Sequence, residues 1–464
     1  MLENDTIAAI STPPGVGGIA VVRVSGPDAI SIVSSAWKGA DLTKAKSHSV
    51  HLGNYYSVDN NLLDQVVATV FINPASFTGE NTVEISVHGS SWIQQEILKD
   101  LVKRGARIAN PGEFTQRAFL NGKLDLAQAE GVADLISASS KAAHDMAINQ
   151  TKGTFSKEFI NLRDKLIEFA SLLELELDFS EEEVEFADRS SLLTLLDNIL
   201  SKINFLSASY AKGAVLKTGV PVVIAGFPNA GKSSLLNLLT GDDKAIVTDI
   251  PGTTRDIIED TIEIDGFLFR FLDTAGLRAT TDIIEEIGVK RAYEALKKAY
   301  IVIWILDPTQ PMDAQMEELS SFSHQHPDKK IITLLNKSDL SSSTSDFSSS
   351  LREINEKNIS DSPIVFSTLN GDGLPILTSH LVALAKDGQN PETDIIITNA
   401  RHYEALIKTA ESLSRAKESL KTGSPSDLVA QDIREATSHL STIVGSISSE
   451  TLLHSIFARF CIGK

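Results

Sequence analysis

The sequence predicts a multidomain chain of the α/β plus α class. A mixed α+β segment comes first, then helices, then a mostly parallel, doubly wound α/β segment set among helical stretches. Three observations carry this. The 464 residues suffice for two to four domains. The stretch 217–385 alternates strand-like and helical runs, whereas 120–212 and the chain beyond about 400 show helical period only. An apolar run, VPVVIAG (220–226), leads directly into a glycine-containing loop and then a helix pattern.

Composition narrows the classes. A hydrophobic fraction of 42% with 22% charged residues suits a globular chain and excludes a disordered one. One cysteine, Cys461, excludes an internal disulfide and a cysteine-cluster metal site. No apolar run reaches the ~18–20 residues that a bilayer span requires. Acids precede the first apolar stretch in MLENDTIAAIST, unlike a secretory signal, so a cytoplasmic location is expected. The net charge of −19 repels phosphate backbones in general. A stand-alone nucleic-acid binder is therefore not expected; a nucleic-acid substrate would need a local basic patch or a partner. Most of the excess acid lies in 120–216 and 217–386, and the two ends are near neutral.

Each segment follows from its pattern. In 1–119, GGIAVVRVSG (17–26), DQVVATVFI (64–72) and NTVEISVHG (81–89) read as strands, and SWIQQEILKDLVKRG (91–105) as a helix with a glycine stop. Residues 120–216 read as the first part of a helical domain. Its acidic run ELELDFSEEEVEF (174–186) is the solvated end of a helix, since no spaced ligand loop accompanies it. Residues 217–386 form the inserted α/β domain, with a Ser-rich loop at 341–350, and 387–464 return to helix. The histidines offer no metal constellation.

The strongest motif is GFPNAGKSS, Gly226 to Ser234, which fits G-x-x-x-x-G-K-[ST]. Its backbone amides, from Asn229, Ala230 and Gly231 through Lys232, Ser233 and Ser234, would wrap phosphates at a helix N-terminus. Lys232 would reach the β- and γ-phosphates, and Ser233 would bind Mg²⁺. Asp273, Thr274, Ala275 and Gly276 match D-x-x-G after the strand FLFRFL, with Asp273 holding Mg²⁺ through water. Asn336, Lys337 and Asp339 match N-K-x-D after IITLL. The Asp339 carboxylate would accept from guanine N1–H and its 2-amino group, which adenine cannot offer. Ser367, Thr368 and Leu369 fit the fifth guanine loop. The segment Thr248, Asp249, Ile250, Pro251, Gly252, Thr253 and Thr254 sits where the first switch belongs. Four elements in order on strand ends define a Ras-like P-loop GTPase that binds GTP and GDP.

Catalysis departs from the Ras pattern. The water-positioning Gln is replaced by Leu277, so Glu285 or Glu286 becomes the candidate. Asn229, in the middle of the phosphate loop, could help bind a monovalent cation doing the work of an arginine finger.

The chain resembles the MnmE (TrmE) family of bacterial and organellar tRNA-modification GTPases over essentially its full length. TPPGVGGIAVVRVSG (12–26), FTGENTVEISVHG (77–89), PGEFTQRAFLNGKLDLAQAEGVADLI (111–136), DIPGTTRD (249–256) and FARFCIGK (457–464) carry the likeness. The resemblance implies an N-terminal folate-binding domain (1–119) that drives a homodimer. It implies a helical domain in two parts and an inserted GTPase domain. It also implies a complex with the flavoprotein MnmG. Together they install an aminomethyl or carboxymethylaminomethyl group at C5 of the tRNA wobble uridine. The one-carbon unit comes from a tetrahydrofolate, the 5-formyl or 5,10-methylene form. Hydrolysis would depend on K⁺-driven pairing of GTPase domains.

By position, K⁺ would take Asn229, Thr248, Ile250 and Thr253; Mg²⁺ would take Ser233 and Thr254. Glu285 is favoured over Glu286 for orienting water, and Arg255 and Asp256 for coupling the switches. Arg23, Glu80, Lys123 and Lys464 would form the folate site, as Arg and Lys pair with a glutamate tail and a carboxylate with a pterin edge. Cys461 is weighed as a nucleophile toward uridine C6 against an inert cysteine. A GTP-switched ribosome-assembly factor is the competing class; such a factor usually carries a basic appendage, and neither flank here is basic.

Overall fold

The computed structural model describes residues 5–178, 189–241, 260–272, 295–340, 359, 362–387, 394–445, 450–458 and 460–463. In chain order the first stretch runs β1 (Ile7–Ile10), β2 (Gly17–Ser25), α1 (Ala29–Ala36), β3 (Trp37–Gly39), β4 (Ser49–Tyr56) and β5 (Leu62–Phe71). It continues with β6 (Thr82–Gly89), α2 (Ser91–Lys103), β7 (Arg107–Ile108) and α3 (Glu113–Leu120). Helices α4 (Leu126–Ser137), α5 (Lys141–Thr151), α6 (Thr154–Asp178), α7 (Arg189–Ala208) and α8 (Tyr210–Thr218) follow. Next come β8 (Val220–Gly226), α9 (Lys232–Thr240), β9 (Asp260–Ile264), β10 (Phe267–Phe271) and β11 (Ile301–Leu306). Then come α10 (Met312–Gln325), β12 (Lys330–Leu335), β13 (Ile364–Val365) and α11 (Leu374–Lys386). Helices α12 (Ala400–Lys421), α13 (Ser426–Val444) and α14 (Glu450–Phe457) end the chain.

Two compact units result, both discontinuous in sequence. The first comprises Met1–Ala133, Gln150–Ser201 and Ala405–Lys464; the second comprises Asp134–Asn149 and Lys202–Glu404.

The first unit holds a seven-stranded sheet in the order β3-β4-β5-β6-β2-β1-β7, antiparallel except where β1 meets β7. Period-two alternation explains its one-sided core. On β5, Asp64, Val66, Ala68 and Val70 are buried and Gln65 faces out. Val22, Val24, Val83 and Ile85 join them, and Val33 of α1 with Ile97 and Leu101 of α2 close over that face. The helical part follows the 3.6 period. Phe159, Leu162, Leu166, Phe169 and Leu173 form the buried stripe of α6, and Val429, Ile433, Ala436, Leu440 and Ile443 that of α13. These two helices pack on each other. Full burial of each Val, Leu, Ile or Phe among them is worth roughly 1.5–3 kcal/mol. Phe457 of α14 meets Phe119 of α3, so the chain's end is tied to its N-terminal part within this unit.

An ion network buttresses this end of the sheet. Arg117 of α3 is 1% exposed. Its Nη2 donates to Asp5 Oδ1 at 2.6 Å and Glu113 Oε1 at 2.9 Å, and its Nη1 to the Asp5 carbonyl at 2.8 Å. The same Nη1 lies 3.3 Å from both Glu80 carboxylate oxygens. Arg107 adds bonds to Asp5 and Glu113 at 2.6 Å each. Burial opposes ionisation of Asp5 and Glu113, but the two guanidinium groups outweigh it and hold both carboxyls below the usual range.

The second unit holds a six-stranded sheet in the order β13-β12-β11-β8-β10-β9, parallel except for the β9–β10 hairpin. Every residue of β11 (IVIWIL) is buried, as a strand covered on both faces requires. One face packs Val222, Ile224, Ile303, Phe269 and Leu235; the other packs Val302, Trp304, Leu319 and Phe322. Sequence period makes 120–216 one helical segment, yet Ala142 and Met146 of α5 and Leu216 of α8 belong to this sheet's core. A hydrogen bond from Ala142 N to the Gly266 carbonyl, 2.9 Å, fixes α5 to the β9–β10 turn.

Arg117→Met should destabilise the first unit by about 3–5 kcal/mol in chemical denaturation, since it strands buried carboxylates. Arg107→Ala, with a side chain 38% exposed, should cost clearly less. Because Asp5 and Glu113 titrate lower in the fold than in the unfolded chain, their contribution is present above the ordinary carboxylate range. It should be lost as pH falls through that range towards their folded values. A pH series of melting curves for wild type and Arg117→Met checks this: the gap between them should narrow in acid.

Candidate nucleotide and N-terminal sites

All described parts of the nucleotide site lie just past the carboxyl ends of parallel strands, where open α/β sheets place ligands. The phosphate loop follows β8, residues 336–339 follow β12, and 367–369 follow β13. The β8 strand is central, paired in parallel with β10 and β11, so the loop starts from a rigid base.

Loop shape comes from two glycines. Gly226 has φ +137, and a Cβ there would lie 2.4 Å from the Ile305 carbonyl oxygen. Gly231 has φ +103, and a Cβ would lie 2.2 Å from Asn336 Nδ2. Asn229, at φ +61, adds a left-handed residue at the exposed crest of the loop. Helix α9 starts at Lys232 with its free amides facing the loop, and Leu235, Leu236 and Leu239 anchor it to the core. Such a cradle of close backbone approach fits a nucleotide phosphate. Lys232 Nζ donates to the Gly226 and Phe227 carbonyls, 2.8 Å each. Burial lowers its pKa, with Glu318 opposing. Ser233 and Ser234 occupy the first turn of α9, where a hydroxyl beside the phosphates suits Mg²⁺.

Asn336 joins the phosphate loop to the fifth loop. It is 1% exposed. Its Nδ2 donates to the Ala230 carbonyl at 2.7 Å and to Thr368 Oγ1 at 3.3 Å, and its Oδ1 accepts from Thr368 N at 3.0 Å. Asp339 is exposed, with Oδ1 accepting from Ser367 Oγ at 2.8 Å, so its carboxylate is oriented yet open to a ligand. Leu369 is 81% exposed beside it in the chain. Sequence reading missed Asp307, a buried acid closing the apolar strand β11 and bonded to Lys337 Nζ at 2.6 Å. An acid at the end of a fully apolar strand was the available signal.

Thr248, Asp249, Ile250, Pro251, Gly252, Thr253, Thr254, Arg255, Asp256, Asp273, Thr274, Ala275, Gly276, Leu277, Glu285, Glu286 and Lys464 lie outside the described residues. Among the described residues, no group of three His, Cys, Asp or Glu could hold a metal.

The N-terminal candidates gather around loop 74–80. Arg23, on β2, is paired with Glu84 at 2.8 Å, and its guanidinium lies 5.9 Å from the Phe77 ring centre and 5.6 Å from that of Phe114. Glu80 accepts from Ser25 Oγ at 2.8 Å and is faced by Arg117. Lys123 Nζ donates to the Pro74 carbonyl at 3.1 Å, and its stem would touch a Cβ at Gly79. Cys461 is exposed, with its carbonyl accepting from Gly112 N at 3.3 Å. The Gly463 carbonyl accepts from Ser11 Oγ at 3.1 Å, so the tail runs along the end of β1. Arg117 was missed in sequence; its i, i+4 spacing from Glu113 was the signal.

The fold, the phosphate loop and the guanine-type loops define a P-loop GTPase. A family model of the MnmE helical domain matches residues 126–461, and one of the GTP-binding protein TrmE N-terminus matches 6–123. The chain is 45% identical to the tRNA modification GTPase MnmE of Flavobacterium johnsoniae over the whole of both chains. It is 47% identical to that of Parabacteroides distasonis, covering 99% of this chain and 100% of the relative. The chain belongs to the MnmE family of tRNA modification GTPases. Among solved structures, the G domain of the T. maritima FeoB iron transporter is 27% identical, matches 36% of this chain and 98% of its own, and has a TM-score of 0.26. Among the described residues no helix is long and apolar enough to cross a membrane.

Asp339→Asn should weaken GTP binding about a hundredfold or more and favour xanthosine triphosphate, whose 2-oxo group can accept from the new amide. Competitive displacement of a fluorescent guanine nucleotide measures both. Gly231→Ala should abolish nucleotide binding while β8 and its neighbours stay folded by circular dichroism, because its Cβ displaces Asn336.

Proposed function

We propose that this GTPase works with MnmG to install the aminomethyl or carboxymethylaminomethyl group at C5 of the tRNA wobble uridine. A tetrahydrofolate bound to the N-terminal unit would supply the one-carbon unit. The observation that carries this reading is the gathering of Arg23, Glu80 and Lys123 around loop 74–80, in a chain of this family. Lys123 and Arg23 suit the glutamate tail of a folate, and the Glu80 carboxylate suits a pterin edge. Ser25 and Arg117 hold the Glu80 side chain in place for that contact. Cys461, exposed and bonded through its carbonyl to Gly112 N, is the candidate nucleophile for uridine C6 in this reading.

In the GTPase part, Lys232 and the amides of the loop bind the phosphates, Asp339 selects guanine, and Ser233 with Thr254 holds Mg²⁺. Asn229, Thr248, Ile250 and Thr253 would hold K⁺, which supplies positive charge near the β- and γ-phosphates. With Leu277 unable to bind water, Glu285 orients the attacking water, and Arg255 and Asp256 couple the switches. The chain acts as a homodimer. MnmG would supply most of the tRNA-binding surface, in keeping with the net charge of −19.

The test is reconstitution of the full chain with MnmG, GTP, K⁺, a tetrahydrofolate, tRNA and an amine donor, ammonium for the aminomethyl product or glycine for the carboxymethylaminomethyl one, followed by nucleoside mass analysis. C5-modified uridine should form, and only when folate is present; unmodified tRNA with every component active would reject the reading. GTP turnover should fall at least tenfold when Na⁺ replaces K⁺ and in Glu285→Ala, with GTP binding retained in the variant. Equal rates in both salts would remove the cation from the account.

A further inference from the structure

Asp307 closes β11 and is fully buried, though it is an acid. Four donors meet its carboxylate. Lys337 Nζ is 2.6 Å from Oδ2 and Gln310 Nε2 is 3.2 Å from it; Thr309 Oγ1 and Thr309 N are 2.6 and 2.9 Å from Oδ1. Its own backbone is clamped as well: Asp307 N donates to Gln315 Oε1 and the Asp307 carbonyl accepts from Gln315 Nε2, both at 2.9 Å. The carboxylate is therefore held by the turn after its strand and by Lys337, while Gln315 of α10 holds the backbone that carries it.

Two links leave this point for the nucleotide site. One is Lys337, the second residue of N-K-x-D, which sits at φ +59, a left-handed conformation disfavoured for a lysine. Its pairing with a buried, immobile acid selects one course for its side chain. The other link is Gln310, whose Nε2 donates both to Asp307 and, at 3.1 Å, to the carbonyl of Pro228 in the phosphate loop. We propose that Asp307 is a positioning residue for nucleotide binding, holding the base side through Lys337 and the phosphate side through Gln310 from one buried carboxylate.

The geometry separates this role from plain stability. If Asp307 acts through Lys337, its loss matters only while Lys337 is there to be positioned. The test uses the full-length protein and a fluorescent GDP analogue, with its dissociation rate read by stopped flow. Asp307→Asn keeps the volume and an acceptor for Thr309 but loses the ion pair. Dissociation should quicken about tenfold, the worth of one charged hydrogen bond. In steady state the change should fall on KM for GTP and not on kcat. In a Lys337→Ala background, Asp307→Asn should add less than twofold, as coupled residues do. Gln310→Ala, at a half-buried site that tolerates truncation, should speed dissociation by a few-fold without touching Lys337, and keeps the idea testable if Asp307→Asn folds poorly. An unchanged dissociation rate in Asp307→Asn or in Gln310→Ala, or fully additive effects of Asp307→Asn and Lys337→Ala, would overturn the proposal. So would a loss confined to kcat.

Discussion

A buried carboxamide, that of Asn336, holds the nucleotide site in one frame. Two loops that are remote in sequence must present backbone groups to one ligand, and neither has secondary structure of its own to fix it. Asn336 supplies what both lack: a donor to the Ala230 carbonyl in the phosphate loop and an acceptor for Thr368 N in the fifth loop. In the buried interior each of these bonds is worth more than at the surface, and leaving one unmade costs about 1–3 kcal/mol. Gly231 is shaped by the same contact, since Asn336 Nδ2 occupies the space a side chain would need. The glycine, the asparagine and the threonine are thus one structural unit drawn from three places in the chain.

The N-terminal unit solves a similar problem with charge. Loop 74–80 and the turn after α3 lie against each other, with Asn121 Nδ2 donating to the Thr78 carbonyl at 2.8 Å. Arg117 ties Glu80 of that loop to Asp5 and Glu113. The buried guanidinium of Arg117 is tolerated because both its terminal nitrogens find carboxylates or a carbonyl, and removing one partner leaves the others stranded. The result is a loop whose acid is aimed by the fold rather than by solvent. In both units, then, a loop at a candidate site is fixed by a buried polar side chain carried on an adjacent element.

Much of this was legible in the sequence, for identifiable reasons. The phosphate loop could be read because its geometry demands glycine at Gly226 and Gly231, whatever the rest of the fold does. Strands β2, β5 and β6 could be read because alternation of apolar residues shows directly which face is buried. The short β1, β3 and β7 could not; they depend on pairing partners far along the chain. Helical period revealed α5 and α8 but not which core they join, since a stripe such as Ala142 and Met146 fits any apolar surface. Asp307 and Arg117 carried only weak signals, an acid closing an apolar strand and an i, i+4 spacing, because a lone acid or base acquires its meaning from its partners. Arg23, Glu80 and Lys123 were singled out through family likeness, and their nearness to one loop emerged only with the fold. Glu285, Thr248, Ile250 and Thr253 were likewise singled out from motif position and family likeness; of the K⁺ candidates, Asn229 alone lies within the described residues.

The account turns on Asn336 as the connector between the two loops, and amide hydrogen exchange of the nucleotide-free protein measures that most directly. In Asn336→Ala, exchange at the Thr368 amide should quicken about tenfold or more, while amides of the central strand, Val222 to Ile224, keep their protection. Unchanged exchange at Thr368, with nucleotide binding lost all the same, would contradict it.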